Sequence, residues 1–259
     1  MKDIIANIHP NATIGKNVVI DSFVTIEEDV IIGDNTWIGP NAVIMNGTRI
    51  GENCKIFPGA VLGGLPQDLK YKGEETFVFI GDNTTIREYV TVNKGTAAKE
   101  KTVVGNNCLL QSYGHVAHDC KLNNNVILGS HAGLAGEVTV DDFAIISPYS
   151  AVHQFCRIGK HSFIAGGSLV RKDIPPYVLV ANEPLSYVGV NSVGLRRRGY
   201  DINKVNEIQN VYRYFYQKGL NNSQAIKSIE DELEMSTERE EIILFIKSSE
   251  RGIVKGPQD

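Results

Sequence analysis

Stepping by six from Ile8 meets an aliphatic residue at almost every stop. The series runs through Ile14, Ile20, Ile26, Ile32, Ile38, Ile44, Ile50, Ile56 and Leu62, resumes at Ile80, Ile86 and Val92, and continues unbroken from Val104 to Val170. Only Asp68, Glu74 and Ala98 interrupt it. Four residues after each aliphatic stands a small or branched residue, among them Ala12, Val18, Thr36, Ala42, Ala60, Ala132 and Ser162. One position earlier Asn, Asp and Gly recur, as Asn11, Asn17, Asp29, Asn35, Asn41, Gly47, Asn53, Gly59, Asn83, Gly95, Asn107 and Asn125. These types tolerate a left-handed backbone, so each hexapeptide predicts a short strand closed by a tight corner. A strand that short cannot bury its inner side chains alone, whereas coils stacked in parallel can. The period therefore predicts a parallel β-helix. With three hexapeptides per turn, residues eighteen apart lie above one another at about 4.8 Å.

The pattern breaks at 63–79 and 96–103, and each break predicts a loop thrown out of the prism. After PPY at 175–177 the repeat stops. Helical periodicity follows over 201–218, with Ile202, Val205, Ile208, Val211, Tyr212 and Phe215 on one stripe, then over 223–234 and 238–249. Gly219 suits a helix stop, and Thr237 with Glu240 reads as a capping box. The expected organisation is a β-helix over 1–185 and a small α-helical domain over 186–259.

Composition adds exclusions. The opening MKDIIANIHPN carries charge, and no later segment holds the ~18 consecutive apolar residues of a membrane span. The chain reads as cytosolic, unprocessed and without stable membrane insertion. A net charge of −4 argues against general affinity for nucleic acid. All four cysteines, Cys54, Cys108, Cys120 and Cys156, fall at the small inner position of the repeat, and no CxxC occurs. Core packing explains them better than disulfides or zinc.

The stretch QSYGHVAHDCK at 111–121 is the chemical exception. His118 follows the inward Val116 by two residues, so it faces out at a corner. Eighteen residues on is Gly136, and eighteen further is Gln154, which puts the three in one column. His115, Asp119 and His153 lie close to it. Without a side chain, Gly136 lets a substrate carbonyl approach its N–H, and an imidazole beside a carboxylate makes a general base for acyl transfer to an alcohol. Asp119 also occupies a corner that favours Asp for backbone reasons alone. Asp68 and Lys70, in the first ejected loop, could reach a sugar hydroxyl or form a solvated ion pair. Arg196, Arg197 and Arg198 follow the prism and could meet a diphosphate.

These segments resemble the bacterial UDP-N-acetylglucosamine acyltransferases. The resemblance is carried by QDLKYKGE at 67–74, IREYVTVNKGT at 86–96, HVAHDC at 115–120, LAGEVTVDDFAII at 134–146, AVHQFCRIG at 151–159, DIPPYV at 173–178 and GVNSVGLRRRG at 189–199. It implies a mainly β fold, a left-handed parallel β-helix of hexapeptide repeats followed by the small C-terminal α-helical domain. It also implies a cytoplasmic homotrimer with active sites between neighbouring prisms and no cofactor or metal. The implied reaction moves an (R)-3-hydroxyacyl chain from acyl carrier protein to the glucosamine 3-hydroxyl of UDP-N-acetylglucosamine, the first step of lipid A biosynthesis.

By this resemblance His118 is the general base, Asp119 its orienting partner and Gly136 the donor to the thioester oxygen. Asp68, Lys70 and His115 attend the sugar and acyl hydroxyls. His153, Gln154, Asn191, Arg197 and Arg198 lie near the diphosphate and nucleotide, and Gly166 sets acyl length. Glu137, Val193 and Pro184 depart from the family's histidine, carboxylate and larger polar residue. Lys204, Arg213 and Lys218 are candidates for steering the acidic carrier protein. Other readings use the same prism: a zinc enzyme drawing on His115, His118, His131 and His153, a structural β-helix with a threonine face, or an acyltransferase with an amine acceptor or a coenzyme A donor.

Overall fold

The computed structural model describes residues 5–256. The first four residues of the polar N-terminal stretch and positions 257–259 of the expected helical domain lie outside the described residues.

Three parallel sheets form the faces of a prism. The first face runs from Asn7–Ile8 to Leu169–Val170, the second from Thr13–Ile14 to Arg157–Ile158, and the third from Val19–Ile20 to Val178–Ala181. The hexapeptide aliphatics are its inner ladder: Ile26 pairs with Ile44, Val116 with Leu134 and Leu134 with Val152, all nearly inaccessible. Burying one such side chain stabilises the fold by roughly 1.5–3 kcal/mol, and stacking repeats that gain at every coil. The two interruptions appear as longer steps on the first face, where Leu62 pairs with Val92 and Val92 with Val116. The ejected loops lie between Val61–Gly64 and Phe77–Ile80 and between Thr91–Asn93 and Lys101–Val104.

Successive faces meet at three edges, here numbered first (first to second face), second (second to third) and third (third to first). Asn17, Asn35, Asn41, Asn53, Asn83, Asn107 and Asn125 are left-handed there, as expected. Asn11, Asp29 and Gly95 are not. Residues the composition rule passes over take the same conformation: Tyr89, Tyr113, His131, Phe143, Tyr149 and His161 all have φ between 56° and 63°. Such backbone costs a bulky residue on the order of 1–3 kcal/mol. Ring stacking between coils offsets part of that cost, as in Phe143–His161 at 4.8 Å and 3°.

At the C-terminal end the third face continues through Val178–Ala181 into the antiparallel strand Ser186–Val190. Residues 186–190 are thus hydrogen-bonded into the β-helix sheet. Four helices follow: α1 (Ser192–Arg197), α2 (Ile202–Tyr216), α3 (Asn222–Glu232) and α4 (Thr237–Lys247). Gly219, at φ 66°, follows the end of α2. The capping box is not at Thr237 and Glu240. It stands at Asn221 and Gln224 of α3, whereas Ser236 caps α4 by accepting from the Arg239 N–H. The one-residue shift arises because Ser236 and Thr237 are both competent caps, and only the extended backbone of Ser236 selects between them. Arg157 joins the domain to the second face, donating to the Ser248 carbonyl at 3.1 Å and lying over the Phe245 ring at 4.4 Å.

Candidate active site

Val116 points into the core, and two residues later the first edge carries His118 outward. The left-handed corner at Asp119, φ 60°, lets adjacent side chains converge where a strand would separate them. The Asp119 carboxylate lies 2.8 Å from His118 Nδ1 and is 1% exposed as a residue. A buried carboxylate needs donors. Thr96 supplies two, its N–H at 2.9 Å and its hydroxyl at 2.6 Å, and the Asp119 N–H donates to Thr102 Oγ1 at 2.8 Å. An ionised carboxylate only accepts, so Nδ1 carries the hydrogen and Nε2 keeps its lone pair.

Gly136 stands on the next coil. A Cβ built there would sit 2.5 Å from both Cε1 and Nε2 of His118, so the imidazole occupies the space that a side chain would take. The corresponding amides of the second edge are capped from the adjoining coil: Lys16 N–H by Asp34, Glu52 by Asp82 and Asn124 by Asp142. Among the described residues the Gly136 N–H has no such acceptor. An unpaired amide donor and an imidazole acceptor therefore share one small region. Asp68 reaches back from the first ejected loop to place Oδ2 3.8 Å from Nε2, while its Oδ1 accepts from the Lys70 N–H at 2.9 Å. That gap leaves room for a hydroxyl bonded to both.

The remaining expected residues divide. Lys70 lines an open recess with Lys72, Glu74 and Ala97 of the two loops. His115 lies on the first face with Nδ1 2.7 Å from Thr91 Oγ1, and burial lowers its pKa, so it is neutral near pH 7. Gln154 stacks in the His118–Gly136 column, and His153 lies beside it, 3.3 Å from Arg251. Gly166 is on the third edge, where a Cβ would meet the Pro148 carbonyl at 3.3 Å.

Asn191 is buried and spent on capping α1: it accepts from the Gly194 N–H at 3.1 Å and donates to the His161 carbonyl at 2.9 Å. Arg198 lies over Phe143 at 5.3 Å, on the second edge, with Arg197 exposed beside it at the end of α1, whereas His118 of the same chain is on the first edge. Of the four histidines of the zinc reading, His131 stands apart from the other three. His131 stacks between Tyr113 and Tyr149 on the third edge, and among the described residues no three His, Cys, Asp or Glu come together to hold a metal.

Sequence reasoning missed Thr96, Thr102 and Lys99. Thr96 and Lys99 sit in the second ejected loop, outside the repeat that assigns positions, and their partners are set by how the loop folds back. Lys99 pairs with Glu137 at 3.5 Å, so the carboxylate that departs from the family pattern is held by an ion pair. Pro184, the third departure, lines a cavity of about 410 Å³ with Leu169, Ile174 and Leu185, and Val193 is 52% exposed. Lys204 is paired with Glu207 and Glu238 and Lys218 with Glu232, while Arg213 donates to Asn210. No helix of the described residues is long and apolar enough to cross a membrane.

Residues 173–254 match the family described as Udp N-acetylglucosamine O-acyltransferase, domain 2, and residues 29–64 match the bacterial transferase hexapeptide family. The acyl-[acyl-carrier-protein]–UDP-N-acetylglucosamine O-acyltransferase of Xylella fastidiosa is 41% identical over 252 residues, covering 96% of each chain. The enzyme of the same name from Halorhodospira halophila is 41% identical over 251 residues, covering 96% of this chain and 97% of its own. The crystal structure of a UDP-N-acetylglucosamine acyltransferase from Bacteroides fragilis matches at TM-score 0.97 and 52% identity, covering 98% of this chain and 100% of that one.

Proposed function

The chain belongs to the UDP-N-acetylglucosamine O-acyltransferase family, and from that premise we propose that it catalyses the first step of lipid A biosynthesis with His118 as general base. It transfers an (R)-3-hydroxyacyl chain from acyl carrier protein to the glucosamine 3-hydroxyl of UDP-N-acetylglucosamine. Both substrates are cytoplasmic, and so is the enzyme.

His118 Nε2 takes the proton of the sugar 3-hydroxyl as its oxygen attacks the thioester carbonyl. The Gly136 N–H donates to the oxyanion that forms. Asp119, fixed by Thr96, holds the Nδ1–H and stabilises the imidazolium. Collapse forms the ester and breaks the carbon–sulfur bond, and the imidazolium proton goes to the departing thiolate of the carrier. No nucleophile from the protein is needed. Asp68 orients the attacking hydroxyl, with Lys70 and His115 nearby, and Gly166 borders the path of the acyl chain.

The observation that carries this reading is the contact of the His118 ring with the bare Cα of Gly136 while Asp119 holds its far nitrogen. Arg197 and Arg198 serve the diphosphate of a site completed by a neighbouring copy, which makes the working enzyme a homotrimer. The test is His118→Ala assayed with a 3-hydroxyacyl carrier thioester and UDP-N-acetylglucosamine. We expect turnover to fall by roughly 10²–10⁴-fold with the fold intact. Wild-type turnover in that variant would remove the general base from this account.

A further inference from the structure

Residues 249–255 take no part in the repeat, yet they end beside its His118–Gly136 column. After α4 the chain turns back and runs along the C-terminal end of the prism. The Asp173 N–H donates to the Gly252 carbonyl at 3.0 Å, the Val254 N–H to the Asp173 carbonyl at 2.9 Å and the Tyr187 N–H to the Lys255 carbonyl at 2.8 Å. Asp173 is 1% exposed, and its carboxylate accepts from the Arg157 N–H at 2.8 Å and the Ser249 hydroxyl at 2.7 Å. Lys172 Nζ donates to the Arg251 carbonyl at 2.8 Å. Lys172 itself stands one coil beyond Gln154 in the column, since Val152 pairs with Val170. The backbone of Arg251 is thus fixed at the end of the first edge, and its guanidinium reaches His153 from 98 residues away in the chain.

His153 Nδ1 has two neighbours with opposite demands. The Gln154 carbonyl, at 3.2 Å, can only accept, so it requires a hydrogen on Nδ1. Arg251 Nη2, at 3.3 Å, can only donate, so it requires the Nδ1 lone pair. One nitrogen of a neutral ring cannot meet both. A hydrogen bond from a charged donor is roughly twice as strong as one between neutral groups, so Arg251 prevails and the ring hydrogen goes to Nε2. His153 is exposed and lies one coil beyond Ala135, the residue before Gly136. An Nε2–H there can bond an anionic oxygen, whereas a bare Nε2 would repel one.

We propose that Arg251 is a positioning residue of the active site, fixing His153 in the tautomer that offers its Nε2–H to an anionic oxygen of the nucleotide sugar. This rests on the reading that places His153 near the diphosphate. The C-terminal return is then part of the site, and not only a closure of the prism.

The test is NMR of the whole enzyme carrying isotope-labelled histidine, whose ring nitrogens report which one is protonated; His153→Ala assigns the signal. At about pH 8.5, where an ordinary imidazole is uncharged, we expect hydrogen on Nε2 in the natural protein and on Nδ1 in Arg251→Met, which keeps the stem and loses every donor. KM for UDP-N-acetylglucosamine should rise about tenfold in Arg251→Met with kcat within about threefold, and Arg251→Lys, which keeps a cationic donor, should stay near the natural values. Ser249→Ala loosens the same return at Asp173 without touching His153, so its melting temperature should fall while KM holds. A natural tautomer or a natural KM in Arg251→Met overturns the inference. So does an equal rise of KM in Ser249→Ala, because the return would then act through packing alone. His153→Ala judges the underlying reading separately. An unchanged KM there removes His153 from the site, whereas a raised KM beside an unaffected Arg251→Met refutes Arg251 alone.

Discussion

Replacing Gly136 by Ala adds one methyl group at the point where the geometry leaves no room for it. The new Cβ would lie 2.5 Å from His118 Cε1 and Nε2, so the ring must retreat by about an ångström to reach ordinary contact. It cannot retreat freely, because Nδ1 is bonded at 2.8 Å to a carboxylate that Thr96 fixes in the interior, while Thr102 holds the Asp119 backbone by accepting from its N–H. Moving the ring breaks that bond, worth about 1.5–3 kcal/mol when one partner is charged. It also displaces Nε2 from its hydroxyl by an amount that typically costs ~10²-fold in rate. Backbone strain adds nothing, since Gly136 is not left-handed. The expected result is a ~10²-fold loss of turnover with a melting temperature lowered by about 2–4 °C for each kcal/mol the broken bond contributed, read by transfer of a labelled hydroxyacyl group to UDP-N-acetylglucosamine. Gly133→Ala is the matched control, because a Cβ there meets nothing within 4 Å and His118 should stay in place. Turnover of Gly136→Ala within threefold of the natural enzyme, with the imidazole unmoved in its crystal structure, would refute the reasoning.

Two further outcomes follow from the same contacts. Thr96→Val keeps the N–H bond to Asp119 but deletes the 2.6 Å hydroxyl bond, so stability should fall by ~1–3 kcal/mol and turnover by about tenfold, with Thr96→Ser restoring both; unchanged values on denaturant titration and assay would show that Asp119 needs no such support. His161, buried among Phe143, Tyr177 and Tyr200 beside Arg198, has its pKa pushed down to about 4, chiefly by burial. Below pH 6.5 the unfolded chain therefore binds a proton that the folded chain refuses, and stability should decline from pH 6.5 to about 4, by up to ~3 kcal/mol. Thermal melts of His161→Phe should lose less over that window than those of the natural protein, and equal losses would mean another group governs the decline.

The periodic parts of this protein were legible because repetition makes each residue's place a matter of counting. Once Ile8 and Val170 share one register, the inner ladder, the small inner cysteines and the coil spacing follow, and so does the alignment of His118 beneath Gly136. Asn17 and Asn125 announced corners because their side chains ease left-handed backbone, whereas Tyr113 and His131 gave no such sign. Their conformation is imposed by the coil and offset by rings eighteen residues away.

Tertiary structure alone decided what lies outside the count. That Thr96 anchors Asp119, that Asp68 returns to within 3.8 Å of His118 and that Lys99 meets Glu137 depend on how two loops fold back onto the prism, and loops carry no period from which to predict a destination. The resemblance alone puts Asn191 near the nucleotide, and only the folded chain shows its side chain capping α1. The sequence alone determined the prism and the His118–Gly136 column of its first edge, since burial rewards one register and penalises a slip of even one residue. Only the folded chain decided which groups hold the imidazole and where the two ejected loops come to rest, because contacts between distant segments depend on packing in three dimensions rather than on spacing along the chain.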